Sequence, residues 1–179
     1  RLSVSRTPVR NALLILSNEG LVEMAPHLGA VVSEISAEEV EEVYFLRGIL
    51  EGVAARLGAE RMTDEHIASL RGILDEMNAG GDPDEWLRLN TRFHYLVYEQ
   101  ADMPRLLALI DSIHDITLPY SRRYIESEEH MQAARAGHER VFHACEMRDG
   151  KLAQEATQRH LEVVCQGVLG SSGDFALGR

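Results

Sequence analysis

Between Ser5 and about Ser17, apolar residues fall at Val9, Ala12, Leu13 and Leu16, a spacing of three and four that predicts an amphipathic helix. Ser5 suits its N-cap, Pro8 is tolerated in a first turn, and Asn18-Glu19-Gly20 ends it with Gly20 at the left-handed position. The pattern then changes to two short β-like runs, "LVEMAP" and "GAVVSEI", around "HLG", a hairpin with Pro26 and Gly29 at its bend. From Ser36 onward helical periodicity returns. "SAEE" reads as a capping box in which Ser36 reaches the Glu39 amide and Glu39 reaches back, and the helix continues through "VEEVYFLRGILEGVAARLGAE". Thr63 with Asp64 and Glu65 opens a second helix of this body, and "DPDE" opens a third, with Asp82 as cap, Pro83 first and Glu85 third. "ADMPRL" interrupts it and launches a fourth, which Pro119 should kink or break. A fifth spans about 130–148, and "RDGK" turns into a sixth that fades at "GSSGDFALGR", a tail expected to be disordered. Helices with short connections predict a mainly α fold, an antiparallel bundle of six or seven helices.

The chain of 179 residues has room for one ordinary domain plus a small appendage, and 45% hydrophobic residues suffice for a core. No apolar run approaches the roughly 18 residues of a membrane span, and the N-terminus lacks the order of a signal peptide. Cys145 and Cys165 are too few for a disulfide framework; they read as small core residues of a protein in the reducing cytoplasm. Charge divides unevenly. Residues 1–33 hold three arginines against two glutamates, a net of +1, so the rest carries −12 of the overall −11. A body of that sign repels polyanions, and any nucleic-acid contact must come from the first segment.

A helix followed by a β-hairpin is the back half of a winged helix-turn-helix, whose recognition helix places its N-terminal side chains in the major groove. Ser5, Arg6, Thr7 and Arg10 occupy those positions, and Gly29 at the wing tip permits close approach of main chain to phosphate. An arginine pair on a helix is also what an ordinary solvated face looks like. The order of residues separates the two readings: "SVSRTPVRNALLILSNEGLVEMAPHLGAVV" resembles the stretch "VSRTPVREAL…L…EGLV…G..V" of GntR-family transcription regulators. The resemblance implies that Ser5, Arg6, Thr7 and Arg10 read operator DNA and that Gly29 lies in the wing. Asn11 departs from the family's usual acidic residue. The family also carries a helix and a half ahead of this point that the chain lacks, so Val9, Leu13 and Leu16 should want a packing partner and the fragment should bind DNA poorly as it stands. The organisation expected is residues 1–35 as the end of a winged helix-turn-helix, 36–170 as a helical effector-binding and dimerisation domain, and 171–179 as a tail.

Among eight histidines, three lie on apolar stripes of three different predicted helices. His94 shares a face with Leu87, Asn90, Val97 and Ala101; His138 with Ala134, Val141 and Cys145; His160 with Ala153, Ala156 and Val164. His27, His66, His114, His130 and His143 fit such stripes less clearly. One buried histidine is ordinarily a hydrogen-bonded core residue. Three in one small bundle cost desolvation unless their nitrogens find partners, and a shared cation would satisfy them together.

A second resemblance covers residues 38–168, through "LRGILEGVAARLGAER", "NTRFHYLVYEQADMPRL" and "GHERVFHACEMRDGKLAQEATQRHL", which look like the C-terminal ligand-binding domain of the FadR subfamily of GntR regulators. In metal-containing members an aspartate four residues before a histidine joins two further histidines. That implies Asn90, His94, His138 and His160 as ligands here, with a neutral asparagine in place of the aspartate, and zinc ahead of nickel or another divalent ion. Members that bind no metal and take a fatty-acyl effector lack the histidine trio. A three-histidine site not filled by protein ligands can accept the carboxylate of a small organic acid as effector, and the bundle is expected to form a homodimer. In similar proteins the arginine of "R…E", here Arg47 with Glu51, lies near the pocket, where Arg47 could hold a carboxylate bidentately. Arg47 and Glu51 stand four apart, so they could equally be a simple helix-surface pair. Arg122 and Arg123, beside Tyr120 and Tyr124, are weaker candidates. A metal-dependent hydrolase of small esters or lactones and a metal-free helical scaffold are the rival readings. Against the hydrolase, Glu139 follows His138 directly and Glu162 stands two residues past His160, so they point about 100° and about 200° round the helix from the histidine faces.

Overall fold

The computed structural model describes residues 5–18, 22–25, 29–32 and 36–170, and divides the chain into two compact units at Ser36. The sequence's stop at Glu19-Gly20, the bend at Pro26, His27 and the tail 171–179 lie outside the described residues.

The first unit holds α1 (Arg6–Asn18), β1 (Val22–Ala25) and β2 (Gly29–Val32). The strands pair antiparallel from Val22↔Val32 to Ala25↔Gly29, and Val22 is buried. Gly29 opens β2 at φ +85°, a conformation that L side chains rarely adopt. Ser5, Thr7 and Arg10 are exposed at the start of α1; Leu13 and Leu16 are half-buried, and Val9, Leu14 and Ile15 are exposed.

The second unit is a bundle of six helices: α2 (Ala37–Ala59), α3 (Asp64–Asn78), α4 (Pro83–Tyr98), α5 (Pro104–Tyr124), α6 (Glu128–Glu146) and α7 (Gly150–Gly170). Their starts follow from side chains that take up the free amides of a first turn. Thr63 accepts from the His66 amide, and the His66 ring accepts from the Thr63 amide, so a histidine completes this capping box. Asp82 accepts from the Glu85 amide ahead of Pro83, Ser127 from the His130 amide, and Asp149 from the Leu152 amide. Glu85 pairs with Arg88 at 2.5 Å and does not reach back to its cap. A 3-10 turn (Glu99–Ala101) follows α4, and Asp102, at φ 54°, turns the chain into α5.

α2 packs most extensively on α7 and also meets α4 and α5, while α3 covers α4 and α6. Gly58 makes the close α2–α4 approach: any Cβ there would overlap the Val97 carbonyl oxygen. Phe93, Val97, Tyr98, Val141, Phe142 and Cys145 form the centre of the core. Two local expectations are corrected. α5 runs unbroken through Pro119, which forfeits one intrahelical bond, and the Thr117 and Ser121 hydroxyls add bonds to the carbonyls of His114 and Thr117 on either side. Cys145 is a core residue, but Cys165 is only half-buried, because it lies on the α2–α7 groove and not on the inner stripe of α7. Among the described residues, no helix is long and apolar enough to cross a membrane.

Candidate metal centre

α4, α6 and α7 each carry one histidine on an apolar stripe, and packing the three stripes together brings the rings to one point. His94, His138 and His160 are 6%, 0% and 4% exposed, so all three belong to the core. Ring centroids stand 5.0 Å apart for His94–His138, 5.3 Å for His94–His160 and 4.6 Å for His138–His160. One nitrogen from each lies within 4.8 Å of the others, a span that a single cation bonded at about 2.0–2.1 Å closes with small side-chain adjustment. Phe93 and Trp86 stand against His138 at 5.1 and 5.8 Å and close off the far side.

Burial keeps the trio neutral. It holds His94 and His138 well below the ordinary imidazole range, and the neighbouring rings push the same way; His160 is lowered to about 4, first by burial and then by the Arg47 charge. Neutral imidazole is the form that donates a lone pair to a metal. Two nitrogens, His138 Nδ1 and His160 Nδ1, are buried without a hydrogen-bond partner, and leaving such groups unmet is costly. Gly137 leaves room for the His160 ring, since a Cβ there would overlap His160 Nδ1. Three convergent neutral nitrogens fit a divalent cation.

Asn90, one turn before His94, is half-buried and lines a cavity of about 30 Å³ shared with His94, His160, His114, Arg47 and Tyr124. The volume admits one or two water-sized groups. Arg47 is buried, and its Nε donates to Glu51 Oε1 at 2.5 Å while Nη1 donates to Thr117 Oγ1 at 3.0 Å. Burial disfavours its charge, but Glu51 more than compensates and holds the guanidinium protonated. Arg47 pairs with Glu51 along α2 and also lines the cavity. Glu51 Oε2 in turn accepts from the Tyr98 hydroxyl at 2.8 Å, and that hydroxyl stands 3.3 Å from His94 Nδ1.

The resemblance points to Arg47 with Glu51 near the pocket, but Tyr98, Thr117 and His114 are not singled out from the sequence as pocket residues. Tyr98 follows His94 by four and shares its face, a usable signal; Thr117 and His114 come from α5, whose approach to α2 no local pattern reveals. The remaining histidines have other work. His66 caps α3, His130 stacks on Tyr124 at 4.6 Å, and His143 pairs with Glu146 on the surface. Arg122 is exposed and bound to Asp84 at 2.5 Å, away from the cavity, and the Arg123 side chain lies outside the described residues. Glu139 and Glu162 are surface partners of Arg71 and Arg159, so neither is placed as a general base. Of the candidate DNA-reading residues, the Arg6 side chain also lies outside the described residues.

Comparison with known proteins adds a second line of observation. The FCD domain matches residues 42–163. The HTH-type transcriptional repressor RspR of Escherichia coli strain K12 is 29% identical over 174 residues, 94% of this chain and 75% of that protein. The Nta operon transcriptional regulator of Aminobacter aminovorans is 32% identical over 138 residues, 73% of this chain and 66% of its own. Among solved structures, E. coli McbR/YncC aligns with a TM-score of 0.75 at 24% identity over 93% of this chain and 87% of that one, an agreement of fold.

Proposed function

The chain belongs to the FCD-domain family and is a GntR-type transcription regulator, not an enzyme, and on that premise we propose that its helical body is a metal-dependent sensor of a small carboxylate. In this reading His94, His138 and His160 hold one divalent cation, zinc ahead of nickel, and Asn90 offers a neutral oxygen. When bound, the cation supplies positive charge and open coordination positions. The observation that carries the reading is the convergence of three buried, neutral imidazoles, one nitrogen of each within 4.8 Å of the others.

The donor set also favours an anionic effector. Three imidazoles and an amide leave the double charge of the cation uncompensated, and the carboxylate of Glu51 is already engaged by Arg47 and Tyr98. A buried, uncompensated charge is costly, so an incoming carboxylate gains there what a neutral ligand would not. Arg47, at the cavity wall, orients its second oxygen.

For the output, Ser5, Arg6, Thr7 and Arg10 contact the operator from α1, and Gly29 brings the wing to phosphate. The body forms a homodimer; Phe45, Ile49 and Leu46 stand 69%, 44% and 40% exposed on α2, an apolar row suited to a second copy. Half-sites one helical turn apart, roughly 34 Å, make binding sensitive to small changes in helix packing. The effector shifts the equilibrium only by its unequal affinity for the two arrangements. The test is a thermal-shift screen of organic acids on the zinc-loaded protein, followed by release of a labelled operator duplex from a protein that carries the complete N-terminal winged helix-turn-helix. Acids that stabilise the wild type should release DNA, and His138→Ala/His160→Ala should lose the response. An unchanged response in that variant contradicts the site.

A further inference from the structure

We infer that Tyr98, oriented by Glu51 and Arg47, is a positioning residue that fixes the proton of His94 on Nδ1 and so reserves the Nε2 lone pair for the cation; this rests on the metal-site reading above. The direction of the chain of hydrogen bonds follows from its far end. Arg47 has donors only, and its Nε meets Glu51 Oε1 at 2.5 Å with both side chains buried. Glu51 paired in this way is a carboxylate and can only accept. Its Oε2 lies 2.8 Å from Tyr98 Oη, so the phenol proton points to Glu51. Tyr98 Oη then has only lone pairs to offer His94 Nδ1 at 3.3 Å, and that nitrogen must be the donor.

A neutral imidazole carries one N–H. With it on Nδ1, His94 Nε2 is bare, and this is the atom that faces His138 Nε2 at 3.1 Å at the centre of the trio. Burial and the Glu51 charge keep the Tyr98 phenol protonated, consistent with its role as donor to Glu51. Arg47 is itself anchored on α5, through Thr117 Oγ1 at 3.0 Å, so residues of α2, α4 and α5 set one tautomer on one ligand. Partners of this kind on the distal nitrogen of a ligating histidine commonly change metal affinity by 10–100-fold. A Tyr98 that only filled space between α2 and α4 would leave the tautomer free.

Long-range proton–nitrogen NMR of the ¹⁵N-labelled, metal-free protein reads the tautomer directly, and competition with a chromophoric chelator reads zinc affinity. The expected result is an Nδ1–H tautomer for His94 in the wild type. Tyr98→Phe should shift it toward Nε2–H and weaken zinc binding by about 10–100-fold. An Nε2–H tautomer in the wild type, or a variant with unchanged tautomer and zinc affinity, overturns the assignment. If the variant does not fold, the wild-type spectrum decides alone. If the wild type takes up no zinc, the metal reading falls, and the metal-free spectrum still decides the role of Tyr98.

Discussion

His138 Nε2 stands 3.1 Å from His94 Nε2, although the two residues are 44 positions apart on different helices. Two neutral rings at that distance hold one proton between their facing nitrogens, and a further proton on either ring would leave an imidazolium charge in the core, away from water. The pair is built to stay uncharged, and the third ring, His160, completes it from α7.

This neutrality has a cost in acid. His160 titrates at about 4 in the folded chain, against about 6.5 when unfolded, so between those values the unfolded chain takes up the proton first. Stability should be complete above about pH 6.5 and fall as pH drops toward 4, by about 3 kcal/mol for His160 alone. His94 and His138, lowered by the same burial, add to the effect. Thermal unfolding of the metal-free protein across this range should show a steep decline that His160→Gln flattens in part; a pH-independent midpoint would contradict the burial of neutral rings.

Gly137→Ala separates helix propensity from site geometry. Alanine favours a helix interior by about 1 kcal/mol over glycine. Here the added methyl overlaps His160 Nδ1, so the ring must move. The variant should be less stable than the wild type in urea unfolding and should bind zinc at least about tenfold more weakly, in line with the loss of a ligand's support. Greater stability with unchanged zinc binding would show that the glycine does not shape the cradle.

The sequence made the trio legible because a regular helix converts spacing into direction: His94, His138 and His160 each continue a stripe of small or apolar residues, and all three are buried. What it did not reveal lies between helices. Arg47 and Glu51 read as an ordinary four-residue pair, and only the packing of α2 on α4 and α5 shows that Tyr98 and Thr117 occupy their remaining bonding positions. Pro119 reads as a kink or a break because local rules count its lost bond; the break does not occur, and α5 runs on to Tyr124 with hydroxyl bonds from Thr117 and Ser121 on either side.

The buried ion pair gives a third test. Arg47→Leu leaves the Glu51 carboxylate buried with only the Tyr98 hydroxyl, and should cost about 3–5 kcal/mol. Arg47→Leu/Glu51→Leu removes both charges and should recover a large part of that loss. Urea unfolding of the two variants checks this; additive losses would mean the charges are not coupled.

At the other end of the chain, Arg10 is exposed on α1, and the proposed function has it meet a base edge or phosphate. In a protein that carries the complete N-terminal winged helix-turn-helix, Arg10→Ala should weaken operator binding about tenfold or more, the range of one bidentate arginine contact. Fluorescence anisotropy at fixed salt measures it, and an unchanged affinity would remove Arg10 from the interface.

The most direct test of the account is the zinc content of the purified protein after equilibration with zinc and removal of the excess, for the wild type and for His138→Ala/His160→Ala. The account predicts one zinc per chain in the wild type and none retained by the variant. A wild type that retains no zinc, or a variant that retains as much, would contradict it.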